Sequence, residues 1–180
     1  MTACRLTRLV AVLVAALAVA SCGYTLAGRG NSLPATIVSI DIPAFINQSV
    51  VGGIDRVLTE AVMVEFQGKG KYRVLPQAEG VDAVLTGRVV SVTVVPVAFT
   101  TNNQVSRQAV VATAAIEFRD IAADRMIWAN PSFQVREEYD VTSGAATADA
   151  AALLTNDRNA LERLSRTFAR SVVTSIFEAF

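Results

Sequence analysis

Three groups of side chains in this sequence could do chemistry. The first is Cys22, a thiol preceded by the small residues Ala20 and Ser21. Small neighbours leave the backbone open to a processing enzyme, and a thiol is a nucleophile. The second is the adjacent acidic pair Glu137-Glu138. Two carboxylates suggest acid–base work of the glycosidase type, but neighbours on a strand point to opposite faces and cannot act on one bond. A solvated strand end is the plainer reading. The third group is Arg88, Arg119 and Arg136, with Arg73, each on a different expected strand. Arginine forks bind phosphate through two parallel hydrogen bonds, so an open sheet face carrying several would hold an anionic lipid head group. Ordinary surface charge is the alternative, and Arg88 falls with the apolar parity of its strand. Trp128, Phe133 and Tyr139 read either as an aromatic contact patch or as core. Gly28-Arg29-Gly30 precedes no helix, so it is no phosphate loop.

Composition removes most enzyme classes. The 180 residues include 16 basic, 16 acidic, no histidine and two cysteines. Without histidine there is no Ser-His-Asp or Cys-His constellation and no histidine zinc site. Two cysteines cannot build a four-cysteine zinc or iron–sulfur site. No catalytic residue, metal ligand set or cofactor site is expected, and the chain does not read as an enzyme. A net charge of zero gives no basic excess for a nucleic-acid backbone.

The elements that position these residues begin after an N-terminal segment of a different kind. Arg5 and Arg8 precede an apolar run of 12 residues, Leu9 to Ala20. That run is too short to span a bilayer, which takes roughly 20 residues, and it suits the core of a secretory signal. It closes on Val19-Ala20-Ser21-Cys22, which resembles the lipobox of bacterial lipoproteins. The resemblance implies diacylglyceryl transfer to the Cys22 sulfur, cleavage of residues 1–21, and acylation of the new amine by a palmitate-type chain. Gly23, in place of an aspartate that would retain the protein at the inner membrane, implies the outer membrane. The remaining 159 residues carry 14 basic and 16 acidic side chains and no free thiol. At ~0.8 kcal/mol per buried CH₂, two or three acyl chains on one residue make release negligible.

Residues 22–35 hold glycines and a proline and read as a lipidated tether; residues 36–180 read as a single domain. Thr36 to Pro43 alternates as a half-buried strand, with Val38, Ile40 and Ile42 against Ser39 and Asp41. Asn47, Gln48 and Ser49 offer caps for a helix over about Val51 to Gln67, which Gly68-Lys69-Gly70 stops. Tyr72 to Leu75 is a short strand and Ala83 to Thr100 a long one, with Val90, Val92 and Val94 on one face. Gln108 to Asp120 alternates cleanly: Val110, Ala112, Ala114, Ile116 and Phe118 against Thr113, Glu117 and Arg119. Met126 to Tyr139 is a strand in which Pro131 demands a bulge or a sheet edge. Thr142 to Thr155 reads as a loop or weak helix. Asp157 to Phe180 is a helix with an apolar stripe from Leu161 to Ile176 and a Glu162–Arg166 pair. The order β-α-β-β-β-β-α gives an α+β fold: two helices on one face of a mainly antiparallel four- to five-stranded sheet. The other face and an edge stay open.

Set in order, these pieces resemble the lipopolysaccharide-assembly lipoprotein (LptE) family. The start Cys22-Gly23-Tyr24-Thr25-Leu26-Ala27-Gly28 is followed by Ile40-x-Ile42-Pro43-x-Phe45-x-Asn47, Leu58-Thr59-Glu60-Ala61-Val62 with Phe66, and Tyr72-Arg73-Val74. Ala83-Val84-Leu85-x-Gly87, Pro96-Val97-Ala98-Phe99, Trp128-Ala129-Asn130-Pro131 and the closing helix complete the set. The resemblance covers the chain from Cys22 onward, as a divergent member. It implies two helices on a four-stranded sheet, a periplasm-facing position at the outer membrane, and insertion into the large β-barrel (LptD) that delivers lipopolysaccharide to the outer leaflet. There it would assist barrel folding, plug the lumen and bind lipopolysaccharide. No family motif for that binding is matched, so Arg88, Arg119 and Arg136 rest on the reading of the residues alone. A second resemblance competes. Ile42-Pro43-Ala44-Phe45-Ile46-Asn47 is similar to the strand and turn of curli-secretion-type and synthase-activator lipoproteins. It implies an activator or scaffold of a peptidoglycan synthase or transporter.

Overall fold

The computed structural model describes residues 33–75, 80–141, 149–156 and 158–179. The expected signal segment, Cys22 and most of the tether lie outside the described residues, as do residues 142–148 of the expected loop. The described elements are β1 (Ser39–Asp41), β2 (Ile46–Asn47), α1 (Ile54–Gly68), β3 (Arg73–Val74), β4 (Ala83–Phe99), β5 (Val105–Asp120), β6 (Arg125–Asp140), α2 (Ala150–Asn156) and α3 (Arg158–Glu178).

Two long antiparallel hairpins, β4–β5 and β5–β6, make the body of the sheet. The strand order is β3-β1-β4-β5-β6, with β2 also on β4. The short strands β1, β2 and β3 pair in parallel. The fold is α+β with a mostly antiparallel sheet, as the order of elements implied. β2 is an addition, and Ala150–Asn156 realises the weak-helix alternative.

Alternation decides which face is covered. Val110, Ala112, Ala114, Ile116 and Phe118 of β5 are buried under the helices. From α3, Leu164, Phe168, Val172 and Ile176 meet them; from α1, Leu58, Val62 and Phe66 do so. Aromatic contacts tie the layers together. Phe45 and Phe133 each set an edge against Phe168, and Trp128 sets an edge against Phe133. At the other end of the core Phe66 touches Phe118 and Phe177, and Tyr72 touches Phe177. Phe133 and Tyr139 are buried, and Trp128 packs against the core at its margin. The core reading of that aromatic group therefore holds.

Four local expectations are corrected. A bulge between Val89 and Ser91 reverses the parity of β4. Val89 is buried before it and Val92 after it, so Val90 faces outward rather than sharing a face with Val92 and Val94. Arg88 consequently lies on the exposed face with Thr86, not with the apolar residues. Val38 is exposed, and Ile37 is buried in its place, because the turn from Pro34 to Ile37 precedes the ladder. Asn47 and Ser49 cap nothing: Asn47 Oδ1 accepts from the Ser49 N–H and hydroxyl, and its Nδ2 donates to Val51 O. The α1 cap is Gly53, at φ 75°, with no side-chain bond. That conformation suits glycine, which has no Cβ to clash.

The stop of α1 is as expected, with Lys69 and Gly70 N–H groups bonded to Phe66 O and Gln67 O. Pro131 satisfies both of its options. β6 is an outer strand of the sheet, and its register slips by one residue between Asn130 and Phe133.

Candidate functional site

The uncovered face of β4, β5 and β6 carries the candidate residues. β4 contributes Thr86 and Arg88 before its bulge; β5 contributes Thr113, Glu117 and Arg119; β6 contributes Gln134, Arg136 and Glu138 after its own. Each strand has one face packed on helices, so every second residue is left to water and can be polar.

All three arginines of the sequence reading are on this face, but they do not converge. Arg119 stands opposite Val84, Arg88 opposite Ala115, and Arg136 opposite Val111. Measured along β5, those levels are four residues apart, about 13 Å per step. Their backbone positions form three separate levels rather than one cluster. Their surroundings also differ. Arg119 donates to Asp124 Oδ1 at 2.8 Å, and Arg136 to Glu138 Oε1 at 3.2 Å. Arg88 borders a shallow depression with Ile46, Thr86, Gly87, Ala115 and Glu117. The depression lies over Ala115, a small residue directly opposite Arg88. It sets Arg88, in no ion pair among the described residues, near the Glu117 carboxylate and the apolar Ile46 and Ala115.

Arg107 is a fourth arginine of this face, which sequence reasoning missed. Its Nε donates to Asp140 Oδ1 at 2.9 Å, and Glu138 lies 3.8 Å from its Nη1. The Asp140 bond, and then its charge, raise the Arg107 pKa above the ordinary arginine value. The signal was available, since Arg107 shares the odd parity of Thr113, Glu117 and Arg119 one residue before the expected strand start.

The acidic pair behaves as strand geometry requires. Glu138 faces out to Arg136, while Glu137 faces in and accepts from the Thr167 hydroxyl of α3. Among the described residues no three acidic or cysteine side chains cluster as metal ligands would. No described helix is long and apolar enough to cross a membrane. The face offers hydrogen bonds and charges of both signs, in separated spots, to whatever lies over it.

The lipopolysaccharide-assembly (LptE) family model matches residues 37–176, which reach from before β1 into the last turns of α3. The chain belongs to the LptE family. No curated protein matches it in sequence. Among solved structures, a DUF330 protein from Xanthomonas campestris is similar at 13% identity and TM-score 0.54, over 82% of this chain and 88% of that one. At that identity the likeness establishes the fold alone. Lipoprotein B from Nitrosomonas europaea is 15% identical, with TM-score 0.47, over 86% of this chain and 90% of that one. Rare lipoprotein B from Shewanella oneidensis is 12% identical, with TM-score 0.45, over 75% and 92%. The LptE match takes in Arg88, Arg119 and Arg136 and leaves Cys22 outside its range.

Proposed function

We propose that this LptE-family chain is an outer-membrane lipoprotein, held by lipid on Cys22, that faces the periplasm and forms the structural, plug-like subunit of the lipopolysaccharide-translocation barrel. Lipopolysaccharide assembly itself follows from the family match over residues 37–176, and that match carries the reading. The finer role draws its support from the chain's own features. Residues 1–21 have the basic start, apolar run and small residues of a lipoprotein signal, directly before Cys22. The uncovered sheet face is polar, with mixed charge, which suits the polar interior of a large barrel. An anchor on Cys22 would keep the domain at the barrel's periplasmic mouth and raise its effective concentration there. The lipid on Cys22 is the group the chain would carry. Arg88, Arg119 and Arg136 are the proposed lipopolysaccharide contacts, each meeting a separate anionic group. Arg88 is the foremost, since its guanidinium is in no ion pair among the described residues.

Conditional depletion tests the role. Newly made lipopolysaccharide should stop reaching the cell surface and accumulate in inner compartments, and this chain, but not its Cys22→Ala form, should restore delivery. Unchanged delivery on depletion would sink the proposal.

A further inference from the structure

The chain meets the core at Leu33, whose N–H donates to Tyr72 Oη at 3.2 Å. One end of the domain gathers around that point. Arg73 N–H donates to Val38 O at 2.8 Å, and Ile121 N–H to Asp82 O at 2.9 Å. The Asp82 carboxylate in turn accepts from Val38 N–H. Apolar side chains are exposed here beside charged ones such as Asp124, although tight turns favour polar residues. Val38, Ile121 and Met126 are 45%, 47% and 39% exposed. Ala122 and Ala123, at the tip of the β5–β6 turn, are exposed as well.

Positive charge lies at the same end of the sheet. Lys71, Arg73 and Arg125 are exposed and, among the described residues, in no ion pair. The nearby carboxylates are engaged. Glu65 pairs with Lys69, Asp124 with Arg119, Asp120 accepts from Ala123 N–H, and Asp82 holds β1. Apolar tips flanked by free cations fit the boundary between acyl chains and anionic head groups.

Chain length keeps this end within reach of the membrane that would hold Cys22. Only ten residues lie between Cys22 and Leu33, so the 11 steps from one to the other reach at most about 40 Å even fully extended. The β4–β5 turn beyond Phe99 stands roughly 50 Å farther along the strands.

We propose that the Leu33 end of the domain is a membrane-resting surface. Ile121, Ala122 and Met126, with Val38 beside them, enter the head-group boundary of the leaflet that holds the Cys22 lipid. Lys71, Arg73 and Arg125 face its anionic phospholipids. This rests on the reading that Cys22 is lipidated.

The test uses mature lipidated protein, made from the full-length gene, in vesicles of phosphatidylethanolamine and phosphatidylglycerol without a barrel. Cys4 leaves with the signal and Cys22 is blocked, so Ile121→Cys and, as a distant control, Phe99→Cys each give one thiol for an environment-sensitive fluorophore. Both positions are exposed, so neither change disturbs the core. A label at 121 should shift to the blue, and shallow spin-labelled lipid should quench it roughly threefold more than a label at 99. Adding Lys71→Glu, Arg73→Glu and Arg125→Glu should abolish that excess. Equal quenching at 121 and 99 in protein whose mass shows the acyl chains overturns the surface alone. A mature protein without those acyl chains overturns the lipid reading and this inference together.

Discussion

At the residue scale, Asp82 is the clearest case of one side chain holding distant parts together. Its Oδ2 accepts from Val38 N–H at 2.9 Å, Ser39 N–H at 2.8 Å and the Ser39 hydroxyl at 2.7 Å. These bonds, led by the Val38 amide, hold the carboxyl pKa below the ordinary aspartate value, with a smaller contribution from the Arg73 charge. The sign follows from linkage. The ionised form is favoured in the fold, so its stabilisation is present above the unfolded value of about 3.9 and disappears as pH falls through the lower folded value. Asp82→Asn should therefore flatten the acid limb of the unfolding curve below about pH 4, read by the fluorescence of Trp128, the one tryptophan. An unchanged acid limb would show that the clamp contributes nothing. Gly87 is a second such position. A Cβ there would lie 2.7 Å from the Phe45 ring, which is buried and cannot swing away. Gly87→Ala should destabilise the domain by about 1–3 kcal/mol; a denaturant midpoint equal to the wild type would contradict this.

At the element scale, β6 shows how an outer strand is kept from pairing with other chains. Pro131 removes a backbone donor, the register slip lifts two residues out of line, and Asn130 Oδ1 accepts the Ser132 N–H at 3.0 Å. Pro131→Thr restores a flat donor edge. It should increase concentration-dependent association in light scattering while changing stability little; the same scattering as wild type would argue against an edge-guarding role. This element also marks what sequence patterning could reach. The β5 alternation and the α3 stripe were legible because each has a single buried face, and burial of one face imposes a fixed period. The β4 bulge was not, because one extra residue shifts parity without changing the run of valines, and so Arg88 was placed on the wrong face. Two-residue strands such as β2 show no period at all, and the parallel pairing of β1 with β3 and β4 depends on contacts distant in sequence. For the candidate site, the identity and outward facing of Arg119 and Arg136 could be read from the chain. Their separation could not, because it follows from the register between strands.

At the scale of the whole molecule, the domain has one face committed to helices and one left polar, with a short chain between its core and the expected lipid. The core closes without disulfide or metal among the described residues, through the aromatic contacts that run from Trp128 to Phe45 and from Tyr72 to Phe118. A polar face this large has no partner among the described residues, and the LptE family match directs attention to the lipopolysaccharide-translocation machinery. The central claim is that a barrel of that machinery is the partner. It is tested most directly by recovering the full-length, C-terminally tagged protein from outer membranes in mild detergent, with Cys22→Ala alongside, and identifying what accompanies it. The account predicts a stoichiometric outer-membrane barrel of lipopolysaccharide-translocon size, with recovery reduced for Cys22→Ala. A peptidoglycan synthase or an inner-membrane transporter in its place would contradict the account and support the activator or scaffold reading.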